Sequence, residues 1–333
     1  MGSATSNPAI RKTILTPTRP AQTDPNALLW GVVSTIKAPA LDIARFIAWH
    51  LDMGAADIVI HLDLPDPDLA DHLANPKVRF VQCDDAYWAQ APEKARESHQ
   101  LRQAYNATRA YNRSNMDWLC HIDVDEFLLT EAPLATHLAT TPDDAAYARI
   151  TPVEMMASED PWTTQAHFKR ARKHAKRKKH ELRKIYPTFG GFVPEGFISY
   201  SGGKNIARVG LPNVRFGIHA MLHKGAKIIN GHPLPDVVIG HAHAPNWEAF
   251  KSHFQFRLNK GSYRKKDNGN IVLNDILTVI IDEEGDAGLR RFFDEMCVAS
   301  PERLDLLAAH DMLLTWRLDL DEKVTRHFGS VGI

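Results

Sequence analysis

The sequence has 333 residues, of which 44% are hydrophobic, and its 40 Lys and Arg balance 40 Asp and Glu. This length accommodates one large domain or two smaller ones, and the zero formal charge argues against a net-basic nucleic-acid-binding protein. No apolar run reaches the roughly 18 residues of a membrane-spanning helix, and the three cysteines match neither a zinc nor a disulfide spacing. We therefore expect a cytoplasmic protein that contacts a membrane at most peripherally, at its inner face.

The order of the predicted elements indicates an α/β protein. Residues 1–27 are rich in Ser, Thr, Pro, Asn and Ala and lack a secretory apolar stretch, so a mobile tail is expected. Apolar runs and helical periodicity then predict strands at 28–35, 56–62, 78–82, 118–122 and 145–155, and helices at 42–53 and 93–112. This alternation is typical of a largely parallel sheet with helices on both faces.

The second half of the chain shows shorter strands followed by helices. Strands are predicted at 206–209, 214–219, 227–229 and 237–241, and helices at 247–259, 275–281, 287–298 and 301–315. No repeat or linker divides the chain into independent domains. We expect one catalytic domain over 28–262 and a helical C-terminal extension over 263–333.

Four polar residues lie at the carboxyl ends of predicted strands: Ser34, Thr35, Asp63 and Asp123. Because ligands of such sheets bind beyond the carboxyl ends of the strands, these residues are expected to share a pocket. Asp63 has the alternative of capping the turn that contains Pro65 and Pro67.

The most informative motif is Asp123-Val-Asp125, which follows an apolar strand and precedes Phe127. On an extended segment the two carboxylates point to the same side and repel each other. A hard divalent cation relieves that repulsion and leaves room for phosphates. A solvated acidic turn is the alternative, but the apolar residues on both flanks favour a buried metal site.

The segment Asp117–Leu128 resembles the signature dWl-x-x-iDvDEFl of glycosyltransferase family 2-like and family 92-like enzymes. Other segments between about residues 30 and 262 are similar to motifs of the same enzymes and occur in the same order: Phe46–His50 with Gly54 (E-W-x-x-Y-H-x-x-x-G), Asp63 (y-D-n-x-S-x-D), Arg102-Gln103 with Asn106 (R-Q-x-x-x-N), Lys204–Arg208 with Gly217–His219 (K-x-i-v-R … v-H), and Ile239–His243 with Trp247–Phe250 (i-x-H-y … s-x-e-e-F).

There are two departures from these motifs. Pro39 and Ala40 stand near the place of an acidic residue, and His241-Ala242-His243 replaces the pair H-Y.

The resemblance implies a GT-A type, Rossmann-like fold and a metal-dependent, inverting transfer of a sugar from a nucleotide-diphosphate donor. UDP is the expected nucleotide, and Mn²⁺ or Mg²⁺ the expected metal. Asp123 and Asp125 would hold the metal, and His219 or His241 would complete its shell, with His243 a weaker candidate. Each histidine has a hydrogen-bonded structural role as its alternative. The residues expected to bind the donor are Ser34, Thr35, Asp63, Arg102, Asn106 and Asp123.

Inverting transfer also needs a carboxylate that deprotonates the acceptor hydroxyl. The candidates are Glu159 and Asp160, followed by Glu154 and Asp236, and Trp162 could stack on an acceptor sugar. The acceptor is expected to be a saccharide or a lipid-linked glycan.

Residues 169–184 contain ten Lys or Arg in sixteen positions. They predict a solvated helix, with attraction of an anionic acceptor or a membrane surface as the alternative. Without an aromatic stripe, stacking on single-stranded nucleic acid is disfavoured.

Two other functions stay open: a metal-dependent hydrolase using His241, His243 and Asp123, and a catalytically silent nucleotide-sugar-binding protein.

Overall fold

The chain forms a mixed α/β structure, which the computed structural model describes over residues 11–162, 165–175, 181–259, 261, 263 and 273–329. Its strands are β1 (Lys12–Thr13), β2 (Trp30–Ile36), β3 (Asp57–Leu62), β4 (Val78–Gln82), β5 (Trp118–His121), β6 (Glu126–Leu129), β7 (Tyr147–Met155), β8 (Gln165–Arg170), β9 (Lys204–Arg208), β10 (Val214–Phe216), β11 (Met221–His223), β12 (Ala226–Ile228), β13 (Gly231–His241) and β14 (Leu313–Arg317).

The helices cover the sheet and build the C-terminal part. They are α1 (Ala40–Asp52), α2 (Pro67–His72), α3 (Asp85–Ala89), α4 (His99–Arg113), α5 (Leu134–Ala139), α6 (Leu182–Ile185), α7 (Trp247–Asn259), α8 (Leu273–Met296), α9 (Pro301–Ala309) and α10 (Leu320–Phe328). Within the described ranges, no helix has both the length and the apolar character needed to cross a bilayer.

The central sheet has the order β14-β8-β7-β9-β5-β2-β3-β4, and β13 pairs with β7 and β6. Strand β2 is parallel to β3 and β5, whereas β9 is antiparallel to both β5 and β7. The predicted α/β class is confirmed, but the prediction of a mostly parallel sheet is wrong because the sheet is mixed. All five residues of β9 are buried, like those of β2, so burial patterning does not reveal strand direction.

The first helices start at positions that local chemistry explains. Helix α1 follows Pro39, so Asp42 lies in its first turn and is not its cap. Ile43, Phe46 and Ile47 pack into the core beneath the sheet. Helix α4 starts after Ser98, whose side chain accepts the Leu101 N–H, so the helix predicted over 93–112 begins later than expected.

The N-terminal segment differs from the predicted mobile tail. Lys12 and Thr13 form β1, which pairs in parallel with β12. The Leu15 N–H also donates to Oδ1 of Asn230 at 3.0 Å. Part of the expected tail is therefore packed against the body of the protein, while residues 1–10 lie outside the described ranges.

Two predictions for the remaining segments are wrong. The helix expected over 301–315 ends at Ala309, and the chain returns as β14, antiparallel to β8. The basic stretch is not one solvated helix, because Lys169 and Arg170 belong to β8 and Lys169 is buried. Residues 176–180 of that stretch lie outside the described residues.

Candidate metal and ligand site

A cavity of about 1250 Å³ lies beyond the carboxyl ends of β2 and β5. Thr35 and Lys37, at the end of β2, and Asp123 and Asp125, just after β5, contribute to its wall. The end of β13, the segment after it and α7 also line the cavity. The topology thus brings distant parts of the sequence to one edge of the sheet.

Asp125, His241 and His243 form a cluster in this cavity, with one ligand atom from each within 4.8 Å of the others. Oδ2 of Asp125 lies 3.3 Å from Nε2 of His241. The Ala242 N–H donates to the Asp125 carbonyl at 2.8 Å, which fixes the two segments together. His243 shares a hydrogen bond of 2.9 Å between its Nε2 and the Tyr263 hydroxyl.

Electrostatics divide the cluster into an ion pair and a neutral imidazole. Burial opposes ionisation of Asp125, but the charge of His241 and its hydrogen bond together hold the pKa of Asp125 below its usual value. Burial likewise opposes the charge on His241, and Asp125 overcomes it and raises the pKa of His241 to about 9. Burial and the positive charge of Arg257 keep the pKa of His243 well below its ordinary value.

Asp123 lies beside this cluster and is engaged by the chain's own donors. Its Oδ2 is 2.6 Å from Nζ of Lys204, and its Oδ1 accepts from Nε2 of Gln103 at 2.5 Å. Lys204 also lies 2.8 Å from Oε2 of Glu126. Burial raises the pKa of Glu126 to about 7. Burial also opposes ionisation of Asp123, but the charge of Lys204 and its hydrogen bond together depress the pKa of Asp123.

The residues predicted to bind the donor are only partly at the cavity. Thr35 and Asp123 line it, whereas Ser34, Asp63, Arg102 and Asn106 do not. Asn106 supports the wall, because its Nδ2 donates to Oγ1 of Thr35 at 3.1 Å. The carboxylate of Asp63 pairs with Arg102 at 2.7 Å. Burial opposes ionisation of Asp63, but hydrogen bonds from His99 and Arg102 lower its pKa to about 2.

His219 and His241, the two predicted histidine ligands, have different surroundings. His241 belongs to the cluster, but His219 does not. The ring of His219 stacks on Tyr200 with 3.8 Å between centroids and lines another part of the cavity. Burial, together with the nearby Lys204, lowers the pKa of His219 to about 4. The cluster therefore contains Asp125, His241 and His243, the last of which was the weaker candidate, and leaves out Asp123 and His219.

The carboxylates predicted as the base lie away from the cavity wall. Glu154 is buried, pairs with Nζ of Lys169 at 3.0 Å and accepts the Ser199 N–H at 2.7 Å. Its contacts hold a loop in place and leave no free carboxylate. Glu159, Asp160 and Asp236 are exposed and do not line the cavity.

Asp42 is a cavity carboxylate that the sequence analysis missed as a site residue. It lies in the first turn of α1, and its nearest ion-pair contact is Nη1 of Arg45 at 3.9 Å. Burial, reinforced by the charge of Asp125 against Arg45, raises its pKa. An acidic residue in a first helical turn is common for reasons of the helix dipole alone, so the sequence held no distinguishing signal.

Comparison of the chain with models of known families and with curated proteins gave no match. The resemblance to family 2-like and family 92-like glycosyltransferases therefore stays a prediction.

Proposed function

We propose that this chain is a metal-dependent, inverting glycosyltransferase of the GT-A type that uses a nucleoside-diphosphate sugar, with UDP as the expected nucleotide. The observation that supports this most strongly is the Asp125–His241–His243 cluster, which opens into a cavity at the carboxyl edge of parallel strands. The cavity volume of about 1250 Å³ is enough for a nucleotide sugar and part of an acceptor. The acidic motif at the end of β5 agrees with the same function.

The donor atoms of the cluster fit a divalent metal ion. One carboxylate oxygen and two imidazole nitrogens suit Mn²⁺ or Zn²⁺ better than Mg²⁺, which prefers oxygen ligands throughout. The Tyr263 hydroxyl orients the ring of His243, and the backbone hydrogen bond from Ala242 to Asp125 holds the two segments that carry the ligands side by side. When bound there, a divalent ion would neutralise charge that develops on the leaving diphosphate.

The neighbouring side chains supply the binding surface for the donor. Lys204 keeps Asp123 ionised, so that Asp123 can accept a hydrogen bond from a ribose hydroxyl beside the cluster. Thr35 presents a hydroxyl that Asn106 orients. Asp63 and Arg102, being paired with each other, stabilise the loop behind this wall and do not contact the donor directly.

Asp42 takes the role of the base in this proposal. It faces the cavity, and Arg45 and Trp162 line the same region. Arg45 lies over the Trp162 ring at 5.3 Å and helps to hold it in the cavity wall, where the edge of the ring would border an acceptor. Asp42 accepts the proton of the acceptor hydroxyl as the new glycosidic bond forms and the bond to the diphosphate breaks.

A metal-dependent hydrolase is the second candidate, and the cluster itself favours it, because two histidines with one carboxylate also form catalytic zinc sites. The two functions differ in their products. Incubation with Mn²⁺ and a panel of nucleotide sugars should release a nucleoside diphosphate, and acceptor saccharides should accelerate the release. Ester hydrolysis that depends on tightly held zinc, without turnover of any nucleotide sugar, would support the hydrolase instead.

A further inference from the structure

Arg257 on α7 reaches the cavity wall beside the metal-ligand cluster. Its Nη2 donates to the carbonyl oxygen of His243 at 2.7 Å, which anchors one side of the guanidinium. Its Nη1 is buried and has no hydrogen-bond partner among the residues that the structure describes. The Arg257 side chain also interacts with the Tyr263 hydroxyl, but Nη1 and its two N–H donors stay without an acceptor and are the unexplained feature.

Burying a guanidinium nitrogen without an acceptor destabilises the fold, because the nitrogen loses its hydrogen bonds to water and forms none within the protein. The cavity carboxylates do not compensate for it. Asp123 is engaged by Lys204 and Gln103, and Asp125 pairs with His241. Asp42 has Arg45 as its neighbouring cation. The acceptor that Nη1 lacks is thus expected from a ligand.

We propose that Nη1 of Arg257 donates a hydrogen bond to a phosphoryl oxygen of a diphosphate bound at the Asp125–His241–His243 cluster. Guanidinium groups match phosphate oxygens in geometry and charge, and they keep their charge at every physiological pH. The anchor on the His243 carbonyl holds Arg257 next to the ligand atoms that would bind the metal. The inference rests on the proposed function and names the residue that binds the leaving diphosphate.

Lys251 provides a matched control on the same helix. It is exposed, pairs with Asp286 and does not line the cavity. Lys251→Gln removes one positive charge from α7, as Arg257→Gln does, but at a distance from the site. Long-range attraction of an anion by the helix as a whole would weaken equally in both variants, whereas a direct contact would respond only to Arg257.

The test is calorimetric titration of the full chain, first with Mn²⁺ alone and then with UDP in the presence of Mn²⁺. Arg257→Gln should weaken UDP binding at least about tenfold, as expected for a lost charge-assisted hydrogen bond, while Mn²⁺ affinity stays within about twofold of wild type. Arg257→Lys should recover part of the loss, and Lys251→Gln should behave as wild type.

Two results would overturn the inference while leaving the proposed function intact. One is UDP affinity in Arg257→Gln equal to wild type, with Asp125→Ala still abolishing it. The other is an equal loss of Mn²⁺ and UDP affinity in Arg257→Gln, which would mean that Arg257 only positions His243. Absence of any Mn²⁺-dependent UDP binding by the wild-type chain would overturn both proposals.

Discussion

Nζ of Lys204 lies 2.6 Å from Oδ2 of Asp123, and the same buried ammonium lies 2.8 Å from Oε2 of the buried Glu126. Lys204 comes from β9, and the acidic motif follows β5. The contact therefore ties together two neighbouring, antiparallel strands at the edge of the cavity. It also explains why Asp123 stands apart from the metal-ligand cluster, since one of its oxygens already binds a cation supplied by the chain.

Removing this cation should destabilise the fold. Lys204→Met leaves Asp123 and Glu126 without their partner in a site where Lys204 is only 2% exposed. Breaking a buried pair from one side costs about 3–5 kcal/mol, so the free energy of unfolding from urea denaturation should fall by about that amount. Lys204→Arg, which keeps the charge, should lose much less. A loss below about 1 kcal/mol in Lys204→Met would contradict the role assigned to this network.

Glu154 should behave as a structural residue and not as a base. Glu154→Gln leaves the buried Lys169 ammonium without its counter-charge, and a loss of about 3–5 kcal/mol in unfolding free energy is expected. Mn²⁺ binding should persist at a temperature where the variant is folded. If Glu154→Gln had unchanged stability but did not turn over nucleotide sugar, Glu154 would again be a candidate for the base.

Asp42→Asn should slow transfer while leaving ligand binding intact. The amide cannot accept the acceptor proton, and loss of a general base typically lowers kcat by about 10²–10⁴-fold. Mn²⁺ and UDP affinities should stay close to wild type, because the cluster and Arg257 are unchanged. Asp42→Glu should recover part of the rate. The comparison uses steady-state rates with the nucleotide sugar that the wild-type chain turns over, and a normal rate in Asp42→Asn would exclude this residue as the base.

Acid should destabilise the protein through His50, which is buried between Phe46 and Phe127. Burial lowers the pKa of His50 from 6.5 to about 4. Between these two values the unfolded chain binds a proton that the folded chain does not, so stability is retained above pH 6.5 and falls as the pH drops toward 4. The expected loss from this residue is about 3 kcal/mol.

The variant His50→Leu should make the stability profile less steep in that pH window, since it removes one of the buried histidines that titrate there. His72→Gln replaces an exposed histidine and should leave the profile unchanged. Urea denaturation at several pH values between 4 and 7 measures both. An unaltered pH slope in His50→Leu would show that this histidine is not a source of the acid sensitivity.

Local sequence patterns predicted much of the first half of the fold. Strands β2, β3 and β5 each contain a short run of apolar residues, and helix α1 carries its apolar side chains at helical spacing. Strand direction was not predictable, because β9 is as buried as the parallel strands beside it. Strand β14 was missed because Leu313–Arg317 continues the apolar periodicity of α9, and its pairing with β8 is a long-range contact.

Part of the candidate site was likewise predictable from the sequence, and part was not. Asp125 and His241 were found because each lies next to a recognisable strand end, and His243 shares the strand spacing of His241. Asp42 and Arg257 were not found, since each occupies an ordinary helical position and becomes part of the site only when α1 and α7 meet at one cavity. Glu159 and Asp160 were attractive on the sequence because of nearby Trp162, but only Trp162 lines that cavity.

Mn²⁺ titration of the wild-type chain, of Asp125→Ala and of the exposed control Glu159→Ala tests the metal centre directly. We expect one Mn²⁺ bound per wild-type chain, at least about tenfold weaker binding after Asp125→Ala, and no change after Glu159→Ala. Equal Mn²⁺ affinity in wild type and Asp125→Ala would contradict the assignment of Asp125, His241 and His243 as the metal centre.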